Sequence, residues 1–156
     1  MSAESTVHIT AERTLPISRE VTWNALQDPQ VLQACIPKCE SITRAGNEEY
    51  DLLFSARFGL VRISLKGKMR MSEVQPCESY KLYFEGEAFA SRGSGVAQVQ
   101  LFEKDGGTLI RYGLDVLIGG PVGQLGAPLV KGAVERGLDR FFDAFEGHVR
   151  ANSSCG

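Results

Sequence analysis

Apolar and polar residues alternate along most of the chain between residues 50 and 118. In the segment 61–71, VRISLKGKMRM, apolar residues take almost every second position, and arginine, lysine or serine take most of the others. This period of two is typical of a β-strand with one covered and one solvated face. Turn residues such as Asp105-Gly106-Gly107 separate further segments of the same kind. The predicted strands cover residues 5–15, 40–44, 50–58, 61–71, 80–88, 95–101 and 108–118.

Two short helices are predicted between the first and second strands. Ser18 can cap a helix over residues 19–27, and Asp28 can cap a second helix that has Pro29 at its first position. The second helix must end before Pro37, because the residue before a proline is pushed out of the helical region. The inward-facing residues expected for the first helix are Val21, Ala25 and either Trp23 or Leu26.

The stretch 119–150 changes to a helical period. Pro128 leaves two alternatives open: a kink in one long helix, or a helix that begins near Ala127 after a loop over residues 119–126. Glycines weaken the front half in both cases, and we interpret this half as a mobile apolar gate. The expected inner stripe, with gaps of three to five residues, is Val122, Leu125, Leu129, Ala133, Leu138, Phe141, Phe145 and Val149.

The order of elements is one strand, two short helices, six strands and one long helix. Strands joined mainly by tight turns predict a curved antiparallel sheet of seven strands, and only the terminal helix is long enough to cover one face of it. We therefore predict an α+β fold in which the sheet grips the helix. At 156 residues the chain fits one domain, which we expect to span 1–156 with an ordered core over about 5–150 and a tail over 151–156.

Small residues occupy neighbouring inward positions of two predicted strands. Gly86 and Ala88 lie on one strand, and Gly95 and Ala97 lie on the next. Either the helix packs very close to the sheet there, as dense protein interiors favour, or a cavity for an apolar ligand lies between them. The residues expected to line such a cavity are Leu52, Phe54, Ile63, Leu65, Phe84, Gly86, Ala97, Val99, Tyr112, Leu114, Val122, Leu125 and Leu129.

Composition and charge argue against several classes of protein. A formal net charge of −2 does not suit a protein that holds nucleic acid by bulk electrostatics. The sequence has no apolar run long enough for a membrane span and no signal-peptide pattern at its start. Cysteines 35, 39, 77 and 155 resemble neither a disulfide framework nor a zinc motif. We therefore expect a cytoplasmic protein with reduced thiols and neither a metal nor a cofactor.

Motifs for catalysis are missing from the sequence. It contains two histidines, one near each end, and lacks HExxH, GxSxG and glycine-rich phosphate-loop patterns. The polar candidates expected on the inner face are Tyr50, Tyr80 and Tyr112. A catalytic role is therefore the least favoured interpretation, because an acid or base must lie within hydrogen-bond reach of its substrate.

A basic strip is expected on the outer face of the predicted fourth strand and its neighbour. It either docks on acidic lipid headgroups or a partner subunit, or is a solvated face with cross-strand ion pairs. We favour the second interpretation, in which Lys66 lies near Glu87 and Lys68 near Glu85. The strip consists of Arg57, Arg62, Lys66, Lys68 and Arg70.

The segment VTWNALQDPQVLQACIPKCESI resembles the CoxG family of carbon monoxide dehydrogenase subunits. The resemblance is carried by Trp23, Leu26, Asp28-Pro29, Leu32, Cys35-Ile36-Pro37 and Cys39, and later by Gly107-Thr108, Gly120, Gln124-Leu125-Gly126 and Phe141-Phe142. Two positions depart from the family pattern: Lys38 replaces the glycine of a CIPGC motif, and Pro121-Val122-Gly123 replaces lysine-leucine-alanine. The resemblance implies the helix-grip (START/Bet v1-like) fold of the START-like, or SRPBCC, superfamily.

The resemblance also implies a function. Such a protein is a non-catalytic accessory of a molybdenum-containing carbon monoxide dehydrogenase or related hydroxylase, linked to holding that enzyme at the inner face of the cytoplasmic membrane. Its internal cavity would bind a hydrophobic ligand such as a lipid or a quinone-like molecule. The alternatives are an adaptor between membrane and enzyme without a bound ligand, and, less favoured, a START-like cyclase or hydrolase.

Overall fold

A computed structural model describes residues 5–58, 60–88 and 91–153 of the chain. Its seven strands form one antiparallel sheet in the order β1-β7-β6-β5-β4-β3-β2. The predicted α+β fold and order of elements are confirmed, with one extra short helix. The elements are β1 (Ser5–Leu15), α1 (Arg19–Leu26), α2 (Pro29–Cys35), β2 (Cys39–Gly46), β3 (Glu49–Phe58), β4 (Val61–Gln75), β5 (Ser79–Ala88), β6 (Ser91–Lys104), β7 (Gly107–Ile118), α3 (Gly120–Gly123) and α4 (Ala127–Ser153).

The caps of the two short helices agree with the sequence prediction. The Ser18 hydroxyl accepts a hydrogen bond from the Val21 amide at 3.3 Å, and the Asp28 carboxylate accepts one from the Gln30 amide at 2.9 Å. The predicted burial of Val21 is wrong, because its side chain is 38% exposed. The buried face of α1 instead consists of Thr22, Trp23 and Leu26.

The terminal helix α4 begins at Ala127. This is the second of the two alternatives for Pro128, in which the helix starts near Ala127. Gly126 has a left-handed φ of 95°, and its carbonyl accepts the first helical hydrogen bond from the Val130 amide at 3.2 Å. Pro128 therefore lies in the first turn of α4, where its missing N–H has no helical partner to lose. The segment before it, predicted as a loop, contains α3.

The prediction that the front residues of the inner stripe are buried is wrong. Leu125 and Leu129 are 59% and 63% exposed, and Ala133 is exposed as well. The left-handed Gly126 separates α3 from α4, so the period of the front segment does not continue into the long helix. The inward positions of α4 are one residue further on in its first turns, which rotates the buried face by about 100°. The more buried apolar residues of α4 are Val130, Val134, Leu138, Phe141, Phe142, Phe145 and Val149.

Two clusters of buried residues fill the space between the sheet and the helices. The larger one surrounds Phe145, which is fully buried, and includes Trp23 from α1 and Ile110 from β7. The smaller one joins the front of α4, through Val130, to β1 and β7. The close backbone approaches of α4 are to β1, α1, α2 and α3. The helix therefore lies towards the β1 side of the sheet, and its front packs on only part of the inner face.

Candidate ligand-binding face

Three neighbouring strands carry glycine in one row across the inner face of the sheet. Gly67 of β4 lies opposite Gly86 of β5, which lies opposite Gly93 of β6. Leu52 of β3 and Ile118 of β7 close the row at its two ends. Four strand spacings separate these two residues, about 19 Å along the sheet. We call Gly67, Gly86 and Gly93 the glycine row.

Among the described residues, the space above Gly86 and Gly93 is open. A Cβ atom added at Gly86 would meet the Lys66 carbonyl oxygen at 3.4 Å and the Gly67 Cα at 3.9 Å, which are both backbone atoms of β4. A Cβ atom at Gly93 would meet Cγ1 of Ile118 at 3.5 Å. Among the described residues, no side chain of α3 or α4 packs onto either position. Close packing of helix on sheet therefore does not occur at this row.

Close packing does occur in the next row, at Gly95. A Cβ atom there would lie 2.3 Å from Cζ of Phe84 and 2.7 Å from the Asp115 carbonyl oxygen. The Phe84 ring thus lies directly on the β6 backbone. The two alternatives for the small inner residues both apply, at different positions: Gly95 accommodates a ring, and Gly86 leaves room.

Phe54 and Leu65 form an apolar wall beside the glycine row. They lie opposite each other on β3 and β4. Both side chains are half-buried, and neither belongs to the two core clusters. Cε2 of Phe54 is 3.8 Å from the position of a Cβ atom at Gly67, so its ring borders the row. This wall is apolar surface that the core of the protein does not use.

Helix α3 is attached beside the opposite end of the row by two serine hydroxyls. Ser5 of β1 donates to the Gly123 carbonyl oxygen at 2.6 Å. Ser91 of β6 accepts a hydrogen bond from the Val122 amide at 2.9 Å. The serines are 3% and 5% exposed. Ser5 pairs with Ile118 across the strands, so α3 spans the β6 to β1 end of the sheet.

The remaining predicted lining residues divide into three groups. Phe84, Ala97 and Leu114 pack in the smaller core cluster, and Leu52, Val99 and Tyr112 in the larger one. Tyr112 also stacks on Phe142 with ring centroids 5.2 Å apart, so the helix already covers it. Val122 is half-buried in α3, whereas Leu125 and Leu129 lie on the exposed side and do not line the inner face. The side chains of Ile63 and Ala88 lie outside the described residues.

Sequence reasoning missed four residues of this site: Gly67, Gly93, Ser5 and Ser91. All four occupy inward positions by strand parity, which was available from the alternation alone. The alignment of Gly67 and Gly93 with Gly86 depends on the register of the β4–β5 and β5–β6 hairpins, which the alternation does not give. The two serines lie at inward positions near strand ends, and their role depends on α3, whose position the alternation does not predict.

The three inward tyrosines do not converge on one point. Tyr80 and Tyr112 flank Val99 in one row, about 10 Å apart, and Tyr50 lies two rows away on β3. Burial raises the pKa of the Tyr80 and Tyr112 hydroxyls, so both stay neutral at ordinary pH. Their arrangement provides no acid–base pair.

The cysteines of the CIPKC segment behave as ordinary thiols. Cys35 is buried and Cys39 is half-buried, and burial raises the pKa of both thiols. In the part of the chain that the structure describes, no three histidine, cysteine, aspartate or glutamate side chains are grouped as metal ligands would be. Cys155 lies outside the described residues.

The outer face of the sheet carries cross-strand charges. Lys66 lies opposite Glu87, and Lys68 lies between Glu85 and Asp51, which confirms the predicted register of the basic strip. Troughs of about 870 and 690 Å³ run between these rows of side chains. They are open and lined by charged residues, so they do not resemble an apolar ligand site. The side chains of Arg57 and Arg62 lie outside the described residues.

Comparison with known proteins identifies the family of the chain. The family model for CoxG, a subunit of carbon monoxide dehydrogenase, matches residues 12–150. The chain belongs to the CoxG family. The match includes the CIPKC segment, α3 and α4 as far as Arg150, so the departures at Lys38 and Pro121 do not remove the chain from the CoxG family. A search of curated proteins found no match to the chain.

Solved structures share the helix-grip fold with this CoxG protein. A conserved protein from Geobacillus kaustophilus has a TM-score of 0.86 at 21% identity, covering 92% of this chain and 95% of its own. An uncharacterised protein from Rhizobium leguminosarum has a TM-score of 0.74 at 12% identity, with 97% and 99% covered. A protein of unknown function from Staphylococcus aureus has a TM-score of 0.72 at 18% identity, with 98% of each chain covered.

A membrane-spanning helix is not found in the described part of this CoxG protein. No helix there is both long enough and apolar enough to cross a bilayer.

Proposed function

We propose that this CoxG protein is a non-catalytic accessory of a carbon monoxide dehydrogenase or related molybdenum hydroxylase, and that it holds a hydrophobic ligand on its inner face. Membership of the CoxG family supports the first part. The open glycine row beside Phe54 and Leu65 supports the second. Apolar surface that the core leaves uncovered is a common setting for a ligand site.

The chemistry of the site favours a lipid or a quinone-like molecule. The Ser5 and Ser91 hydroxyls at the site are both hydrogen-bonded to α3. Away from these two serines, the site is lined by glycines, Phe54 and Leu65, which offer a ligand no polar side chain, and burial of an unpaired polar group costs several kcal/mol. The buried part of the ligand is an acyl or isoprenoid chain or an apolar ring, and its polar group lies at the rim.

Native mass spectrometry of the purified protein, followed by organic extraction, tests ligand binding. We expect a bound species that dissociates on denaturation and partitions into the organic phase. A protein that is empty as purified, and that also binds none of a set of lipids and quinones offered to it, would contradict the proposal. Genes for molybdenum-containing dehydrogenase subunits beside the encoding gene are expected if the enzyme assignment is right.

A second candidate function is docking to the membrane surface. Leu125 and Leu129 are 59% and 63% exposed beside α3, and Leu60 is fully exposed in the β3–β4 turn at the same end of the sheet. Exposed leucines grouped at one end of a protein suit contact with an apolar phase. This surface lies next to the proposed ligand site, so docking there would bring the site to the lipid.

A further inference from the structure

Helix α3 is a single turn of helix; its first residue, Gly120, and the residue before α4, Gly126, are both glycines. Gly120 and Gly126 both have left-handed φ angles, of 74° and 95°. Glycine adopts and leaves this conformation at little cost, whereas other residues do not. Before α3, the Gly119 amide donates to the Arg92 carbonyl oxygen at 2.8 Å, which holds the chain to β6. The segment from Gly120 to Gly126 is therefore bounded by two glycines, and the residue before it is fixed to β6.

Serine hydroxyls hold this segment closed. Ser5 and Ser91 come from strands at opposite sides of α3, and each bonds to its backbone rather than to a side chain. Both serines are almost completely buried. Their position on the inner face is unusual, because the neighbouring inward residues of β1 and β7 are apolar. A buried hydroxyl that bonds only to a movable helix stabilises the closed position of that helix.

We propose that α3 is a lid over the glycine row and that Ser5 and Ser91 are its latch. The inference rests on the proposed ligand site for its purpose, but not for its geometry. In the closed state α3 bridges Ser91 of β6 and Ser5 of β1, beside the β7 end of the row. Lifting α3 about Gly120 and Gly126 breaks both serine bonds and opens that end of the row, so the latch sets the rates of ligand entry and release.

Amide hydrogen exchange of the ligand-free protein tests the latch directly. The Val122 amide is the reporter, because its N–H is the donor to Ser91. We expect Ser91→Ala and Ser5→Ala each to raise exchange at residues 122–126 about fivefold, and the double variant about 25-fold, as the loss of one and two ordinary hydrogen bonds predicts. Ser94→Ala, on the exposed face of β6, is the matched control and leaves exchange unchanged. Unchanged exchange in the latch variants would overturn the proposal.

The release rate of a bound probe tests the lid. Stopped-flow transfer of cis-parinaric acid from the protein to phosphatidylcholine vesicles should be faster in the latch variants by the same factor as exchange, with little change in the equilibrium constant. Faster exchange with an unchanged release rate would overturn the role as a lid. If the wild-type protein binds no probe, the proposed ligand function fails. The latch is then tested by amide exchange alone. If the double variant does not fold, the two single variants carry both measurements.

Discussion

The Phe84 ring fills the space that a side chain at Gly95 would need. The Cζ atom of Phe84 would lie 2.3 Å from a Cβ atom at Gly95. Two residues further along β5, on the same face, Gly86 has only backbone atoms of the described residues near its own Cβ position. The sheet therefore changes from a packed surface to an open one within a single step along one strand.

Alanine at these two glycines should have opposite effects on stability. We expect Gly95→Ala to lower the free energy of unfolding by about 1–3 kcal/mol, because the Phe84 ring and the rigid Asp115 carbonyl must both move. Gly86→Ala should change it by less than about 1 kcal/mol, in the stabilising direction, since the unfolded chain loses freedom without a clash. Urea unfolding measures both. Equal destabilisation of the two variants would mean that the glycine row is packed.

The buried hydroxyl of Thr108 should contribute measurably to stability. Thr108 is fully buried, and its hydroxyl donates to the Ile17 carbonyl oxygen at 2.7 Å. Thr108→Val keeps the shape but leaves that carbonyl with only the long 3.5 Å contact from Thr22, so we expect a loss of about 1–3 kcal/mol in chemical unfolding. Thr10→Val on the exposed face of β1 is the control, expected within about 0.5 kcal/mol of wild type. A neutral Thr108→Val would contradict this assignment.

Stability should fall at alkaline pH partly because of Tyr80. Burial raises the pKa of its hydroxyl above the ordinary value near 10. Above that pH the unfolded chain loses the proton while the folded protein keeps it, so the stabilisation present below about pH 10 decreases as pH rises. Tyr80→Phe should reduce the slope of unfolding free energy against pH by up to about 1.4 kcal/mol per pH unit. Identical slopes for Tyr80→Phe and wild type would contradict the prediction.

The exposed leucines beside α3 should govern any binding to membranes. We expect Leu125→Asp and Leu129→Asp to abolish co-sedimentation with phospholipid vesicles and to leave stability within about 0.5 kcal/mol, because both side chains are exposed. Leu117→Asp, at a 41% exposed leucine on the outer face, is the matched control and should keep full vesicle binding. Wild-type levels of co-sedimentation in the Leu125 and Leu129 variants would exclude this surface as the contact.

Alternation and capping residues were sufficient to predict the fold. Strand parity identified the inner faces, and Ser18 and Asp28 were correctly identified as caps. The front of the long helix was not predictable from its period, because the left-handed Gly126 interrupts the helix and resets which residues face inward. Leu125 and Leu129 were therefore expected inside and lie outside.

The site was only partly predictable because it depends on pairing between strands. Gly86 was recognised from its own strand, but Gly67 and Gly93 join it only through the register of two hairpins. Whether a small residue leaves a void or makes a close contact depends on which neighbouring side chain packs onto it. The Phe84 ring packs onto Gly95 and not onto Gly86. No property of the sequence distinguishes these two glycines.

Filling the glycine row tests the central claim most directly. Gly86→Leu places an apolar side chain in the open space, and Gly113→Leu places the same side chain on the outer face of β7, where a Cβ atom meets only Cγ2 of Thr10 at 3.8 Å. Fluorescence titration with cis-parinaric acid compares both with wild type. We predict that Gly86→Leu remains folded and binds at least about tenfold more weakly, a loss of about 1.4 kcal/mol, while Gly113→Leu binds as wild type does. Equal affinity of the Gly86→Leu variant and wild type would contradict a ligand on the inner face.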